Sequence, residues 1–174
     1  LAHAAAAVSV ITSEAIAALV AFDLADALRR EPGVSVPRDP QRFGDDGITV
    51  RGLGGNRVHM ETDGVPVGEN FAIGSFSNAG RKFSDLELIE RVELLRGPAS
   101  ALYGSDAIAG VLATTTFDPA DLLATGQDAV LRTRVGYADA DDAVFAGLTG
   151  AFRAGSVEAL LGWAHREAGE IDHA

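Results

Sequence analysis

Three segments in the last third of the chain alternate between apolar and polar side chains. They are AVLRTRVGYA (129–138), DAVFAGLTGAFR (142–153) and SVEALLGWAHR (156–166), joined by short polar connections. Side chains of a β-strand point to opposite faces in turn, so this alternation predicts three antiparallel strands of about ten residues. The apolar positions expected to share one exposed face are Leu131, Val135, Leu161 and Trp163.

An apolar face on strands of this length has two interpretations. A transmembrane barrel turns its apolar face to lipid and its polar face to a water-filled interior. A water-soluble meander packs its apolar face on a core instead, and alternation alone does not exclude it. The strand length and the alternation favour the barrel, and Trp163 near a strand end suits the aromatic girdle at a membrane interface.

The first 120 residues combine short helical and strand patterns with many glycines. DLADALRREPGV (23–34) is the clearest helix, because Asp23 can cap its start and Pro32 ends it. Alternating segments that predict strands are VSVI (8–11), GVSV (33–36), ITVRG (48–52), RVHMETDGVPV (57–67), RVELL (91–95) and GVLATTTF (110–117). This mixture predicts a compact α+β unit with a sheet of about four strands.

Composition narrows the classes of function. The 174 residues carry 25 acidic and 14 basic side chains, a formal net charge of -11. A nucleic-acid binder gains affinity by neutralising phosphates with Lys and Arg, so we expect no nucleic acid as a partner. The chain has no cysteine, which removes disulfides and zinc–thiolate sites. No apolar stretch approaches the ~20 residues of a membrane-spanning helix.

The motifs of common enzymes are missing from the sequence. RGLGGNRV (51–58) does not match the dinucleotide-binding glycine pattern, and YGSDAIAG (103–110) lacks the G-x-S-x-G of a hydrolase. The four histidines, at positions 3, 59, 165 and 173, do not fall at metal-ligand spacing. We therefore expect no catalytic residues, no metal site, no cofactor and no enzyme activity.

Several motifs in fixed order carry a family resemblance. They are DLADALRREPGVSV (23–36), ITVRGLGGNRVHMETDGVPV (48–67), LELIERVELLRGPASALYGSDAIAGVL (86–112) and FDPADLL (117–123). Together they closely resemble the plug domain of TonB-dependent outer-membrane receptors. Their sequences look most like those of the haem and haemoglobin receptor branch. The resemblance implies a plug domain at 8–123. It also implies that 129–174 holds the first strands of a truncated transmembrane barrel in the outer membrane of a Gram-negative bacterium.

The resemblance also implies a function in transport. In this family the plug fills a barrel of roughly 22 strands, which would otherwise be an open pore. A ferric siderophore or haem binds outside, and TonB pulls the plug from the periplasm. No TonB-binding segment is recognisable before Val8, so we expect the chain to be a fragment or a truncated product. The alternatives are a free-standing plug-like module for ligand binding or signalling, and a non-functional receptor fragment.

Arginines of two RG motifs are implied as a latch between plug and barrel. In this chain the matching residues are Arg51 and Arg96, which would face glutamates of the barrel. Alternation in RVELLR (91–96) places Val92 and Leu94 toward the core and Glu93 toward the barrel wall. Such pairs are costly to break once buried, which suits a latch.

Two long irregular loops, 38–46 and 68–81, are implied as the ligand-binding apices. Their candidate contact residues are Arg38, Gln41, Arg42, Phe43, Asn70, Phe71, Phe76, Asn78 and Arg81. Neither loop contains a histidine, the usual protein ligand of haem iron. A ferric siderophore brings its own iron ligands, so we rank siderophore slightly above haem.

Overall fold

The computed structural model describes residues 7–21, 23–36, 38–39, 44–45, 47–69, 71–73, 77–79, 85–139 and 142–167. It has two compact units. The mixed-sheet unit comprises Leu1–Ser84 and Arg91–Thr115, and the strand unit comprises Asp85–Glu90 and Thr116–Ala174. The predicted division at 8–123 and 129–174 stays a prediction. Among the described helices, none has the length and hydropathy needed to cross a membrane.

Short strands dominate the fold. They are β1 (Ala7–Thr12), β2 (Val34–Ser35), β3 (Arg38–Asp39), β4 (Gly44–Asp45), β5 (Thr49–Val50), β6 (Val58–Thr62), β7 (Val65–Pro66), β8 (Phe71–Ile73), β9 (Ser77–Ala79), β10 (Ile89–Arg96), β11 (Gly110–Thr116), β12 (Ala129–Ala138), β13 (Ala143–Ala154) and β14 (Val157–Glu167). The helices are α1 (Ser13–Ala18), α2 (Leu24–Leu28), α3 (Ser100–Tyr103) and α4 (Pro119–Leu122), and 3₁₀ turns form at Gly55–Arg57 and Leu86–Leu88.

A five-stranded sheet in the order β1-β10-β11-β6-β7 organises the mixed-sheet unit. β1 pairs antiparallel with β10, and β11 pairs parallel with β6. Val92 and Leu94 are fully buried, as predicted. Gly110 permits close strand packing, because a Cβ there would lie 2.4 Å from the Leu95 carbonyl oxygen. The α+β prediction is confirmed.

Local elements of this unit differ from the sequence prediction in length. α2 ends at Leu28, because the chain then turns through Glu31, whose N–H donates to the Leu28 carbonyl, and through Gly33 at φ +73°. Asp23 caps α2 as predicted, accepting from the Asp26 N–H at 2.8 Å. The predicted strands at 33–36 and 48–52 are only two residues each, and they pair with one another outside the large sheet.

Three long antiparallel strands, β12, β13 and β14, form the sheet of the strand unit. Leu148 is paired with both Thr133 and Trp163, which fixes one register across the sheet. The residues predicted to share an exposed face are exposed: Leu131 65%, Val135 78%, Leu161 71% and Trp163 56%. The opposite face of β13 is buried at Phe145 and Thr149. The prediction of three strands with one apolar exposed face is confirmed.

Candidate functional site

Arg96, one predicted latch residue, belongs to a polar network in the mixed-sheet unit. Its guanidinium donates to the Ser9 Oγ at 2.8 Å and the Pro32 carbonyl at 3.2 Å, and lies 3.5 Å from the Glu31 carboxylate. The Ser9 hydroxyl donates to the same carboxylate at 2.6 Å. The Arg96 and Glu31 side chains are 14% and 18% exposed. This network joins the edge strand β1 to β10 and to the turn after α2.

One donor of Arg96 is left over. Its Nε is buried and has no hydrogen-bond partner within the part of the chain that the structure describes. A buried N–H without an acceptor costs about 1–3 kcal/mol, and this atom is too deeply buried for an acceptor from outside to reach it while the network is intact.

Arg51, the second predicted latch residue, lies on the surface of the mixed-sheet unit. Its backbone adopts the left-handed conformation at φ +51°, and its N–H donates to the Gly33 carbonyl at 2.7 Å. Its side chain is exposed. The backbone therefore adopts a conformation that is unusual for arginine.

Glu93, the third predicted latch residue, is half-buried on β10. It accepts a hydrogen bond from the Arg91 Nε at 3.0 Å. The described contacts thus give Arg51, Glu93 and Arg96 separate partners and do not bring the three together. The latch stays a prediction.

Tyr103 packs on a small apolar cluster next to β10. The cluster contains Leu95, Ala99, Ala107 and Val111. The Tyr103 ring lies 5.6 Å from the His59 ring, and the His59 Nε2 lies 3.3 Å from the Glu61 carboxylate. Burial, then the negative charges of Glu61 and Glu93, raise the pKa of the Tyr103 phenol. His59 is a structural histidine with a carboxylate partner.

Most of the candidate ligand-binding residues lie outside the described residues. Arg38 is in β3, which pairs with β4, while Phe71 and Asn78 are in the paired strands β8 and β9. The others, Gln41, Arg42, Phe43, Asn70, Phe76 and Arg81, fall outside the described ranges. Within those ranges, no three His, Cys, Asp or Glu residues lie close enough to hold a metal ion.

Sequence reasoning missed a buried carboxylate in the strand unit. Glu87 is 4% exposed, accepts from the Thr149 hydroxyl at 3.0 Å and lies 3.6 Å from the Arg134 Nε. A signal was available, because Arg132 and Arg134 share one face of β12, and two neighbouring cations on a partly buried face favour a carboxylate partner.

Comparison with known proteins gives a consistent result. Residues 1–111 match the family described as TonB-dependent Receptor Plug Domain. The hemin receptor of Yersinia pestis is 34% identical over 94% of this chain and 23% of its own length. The vitamin B12 transporter BtuB of Vibrio vulnificus is 39% identical over 67% of this chain and 18% of its own.

A solved structure shows the same fold. A double mutant of the Serratia marcescens hemophore receptor HasR, in complex with its hemophore HasA and heme, aligns with a TM-score of 0.79 at 22% identity. The alignment covers 94% of this chain and 24% of that one. The chain therefore spans less than a quarter of the length of these relatives.

Proposed function

The chain belongs to the TonB-dependent receptor plug domain family, and on that premise we propose that it is the plug and first barrel strands of an outer-membrane transporter. The observation that carries the proposal is the sheet of β12–β14. Its strands are 10, 12 and 11 residues long, with apolar side chains on one face and buried polar groups such as Thr149 on the other. A tilted strand needs about 9–11 residues to cross a bilayer.

The proposed cargo is an iron complex, either a ferric siderophore or haem. The hemin receptor among the relatives favours haem, whereas the two candidate loops at 38–46 and 68–81 contain no histidine. His59 is 9% exposed and pairs with Glu61, so it is a poor axial ligand. A haem cargo would take its iron ligand from residues beyond this chain. A ferric siderophore needs no protein ligand to its iron.

The proposed mechanism is energy-coupled opening, not catalysis. TonB pulls on the receptor from the periplasm, and the edge strand β1 is the first element of the sheet to receive the force. Arg51 and Arg96, with Glu93 nearby on β10, hold the plug against barrel carboxylates until then. The exposed side chain of Arg51 supports this role, because a barrel carboxylate can reach it.

The cargo is tested with the full receptor in cells that depend on it for iron. Haem and ferric siderophores are each supplied as sole iron source, and haem titration into the purified receptor is followed at the Soret band. We expect growth on a ferric siderophore. We also expect the Soret band of haem to be the same with the His59→Gln variant as with the unchanged receptor. Growth on haem alone, with a Soret shift that His59→Gln abolishes, would replace the siderophore by haem with His59 as ligand. Growth on neither haem nor a ferric siderophore would contradict the proposed transport of an iron complex.

A further inference from the structure

The 3₁₀ turn Leu86–Leu88 packs on the polar face of the β12–β14 sheet. Its segment, Asp85–Glu90, groups with this sheet although the chain on both sides belongs to the mixed-sheet unit. The Glu87 side chain is 3% exposed. Burial of a carboxylate to this extent requires hydrogen bonds or a counter-charge.

Both oxygens of the Glu87 carboxylate have partners on the long strands. Oε1 accepts from the Thr149 hydroxyl of β13 at 3.0 Å, and Oε2 lies 3.6 Å from the Arg134 Nε of β12. The Arg134 guanidinium also lies over the Phe145 ring, 4.8 Å from its centre. One carboxylate thus ties the turn to two neighbouring strands.

Two glycines make room for the turn. A Cβ at Gly147 would lie 2.7 Å from the Glu87 Oε2, and a Cβ at Gly162 would lie 2.0 Å from the Leu88 Cδ2. Real Cβ atoms do not approach so closely, so a larger residue at either position would make the end of the Glu87 or Leu88 side chain shift. The fit is steric as well as electrostatic.

A backbone hydrogen bond fixes the segment at a second point. The Phe117 N–H donates to the Leu88 carbonyl at 3.0 Å, and the Arg132 guanidinium lies 4.8 Å from the centre of the Phe117 ring. The chain re-enters the mixed-sheet unit after Glu90 and leaves it again after Thr115. Leu88 comes shortly before the first crossing, and Phe117 comes shortly after the second. The chain next to each crossing is therefore held by contacts within the strand unit.

We propose that Asp85–Glu90 is a fixed anchor, which Glu87 keeps on the strand unit while the mixed-sheet unit rearranges during uptake. The proposal rests on the proposed transport function. Glu87 is a positioning residue: it touches no cargo and acts through Thr149 and Arg134. A path for cargo then opens by rearrangement within Leu1–Ser84 and Arg91–Thr115, and the anchor stays in place throughout the cycle.

A reversible disulfide tests the anchor in the full receptor. A Cβ at Gly147 would lie 3.0 Å from the Glu87 Cγ, a spacing compatible with a disulfide between Glu87→Cys and Gly147→Cys. Other cysteines of the receptor are first replaced, and TonB-dependent uptake is compared in the oxidised and reduced forms of the same variant. We expect uptake in the oxidised form to equal or exceed uptake in the reduced form, because the disulfide then holds the segment that Glu87 no longer holds. Loss of uptake on oxidation, restored by reduction, would overturn the anchor.

A second measurement tests the proposal if the double variant does not fold or does not form the disulfide. Leu86 is 6% exposed, and thiol labelling of Leu86→Cys reports whether the segment leaves the β12–β14 sheet. We expect the labelling rate not to change when cargo and proton-motive force are supplied, and a several-fold rise would overturn the proposal. Failure of the transport function itself has a separate signature, because the cysteine-free parent would then show no TonB-dependent uptake.

Discussion

Arg96 and Glu31 form an ion pair of 3.5 Å that joins the end of β10 to the turn after α2. Ser9 lies between them in the network, donating to Glu31 and accepting from Arg96. Three segments distant in sequence are therefore held together at the edge where β1 pairs with β10. If TonB pulls on β1, as proposed, this network resists the separation of β1 from β10.

We predict that Glu31→Gln loosens β1. The amide keeps one acceptor but loses the charge that faces Arg96, at a cost of about 1–2 kcal/mol. Amide hydrogen exchange of residues 7–12 in the full receptor should accelerate about 5–30-fold. Glu69→Gln, at an exposed position, is the matched control and should leave exchange unchanged. Equal exchange in both variants would show that the pair does not hold the edge strand.

Arg51→Ala gives the sharper test of the proposed latch. The Arg51 side chain is exposed in this chain, so its loss should leave the plug intact and affect only a contact made outside these residues. Losing one partner of a pair buried against the barrel costs about 3–5 kcal/mol, and the plug should then leak small solutes. Arg96→Ala should leak as well, and the exposed Arg30→Ala is the control. Wild-type permeability in both latch variants would reject the latch.

We predict that Leu148→Arg prevents proper insertion of the strand unit. Leu148 lies in the middle of β13 on the apolar face, where a charge in a bilayer costs about 2–4 kcal/mol. Val157→Arg, at the start of β14, should cost only about 0–1 kcal/mol near the interface. Folding of the receptor into lipid vesicles measures both. Equal stability of the two variants would favour a sheet that faces water.

Tyr103 should lower stability at high pH. Its folded-state pKa is raised above the ordinary 10.0 by burial and by Glu61 and Glu93. The unfolded phenol therefore ionises first, so the contribution of this group is complete below pH 10 and declines as pH rises through the folded-state pKa. Tyr103→Phe should remove this part of the alkaline loss, as measured by denaturation between pH 9 and pH 12. An unchanged pH profile in the variant would contradict the assignment.

Alternation was enough to predict the long strands from the sequence. Leu131, Val135, Leu161 and Trp163 share the exposed face because a period of two fixes the face of every side chain once the strand is known. Val92 and Leu94 were placed in the core for the same reason. The N-cap of α2 could also be predicted from the sequence, because an Asp before a helical segment commonly accepts a hydrogen bond from the first turn, as Asp23 does.

Contacts between distant residues could not be predicted in this way. Glu31, Ser9 and Arg96 are brought together by sheet order, and β1 pairs with β10 across more than 75 intervening residues. The Glu87 site needed the register of β12 and β13, because Arg134 and Gly147 meet opposite one another only after those strands pair. The helix α2 is shorter than predicted, because the chain turns at Glu31 before it reaches Pro32.

Deletion of the plug tests whether this domain closes the transporter until TonB acts. The full receptor and a variant lacking residues 8–123 are compared in cells with and without TonB, measuring uptake of the iron complex and leakage of an unrelated small solute. We expect the full receptor to accumulate the iron complex only with TonB and to exclude the solute. The deletion variant should admit the solute at the same rate with and without TonB. TonB-independent uptake by the full receptor, or exclusion of the solute by a correctly inserted deletion variant, would contradict the account.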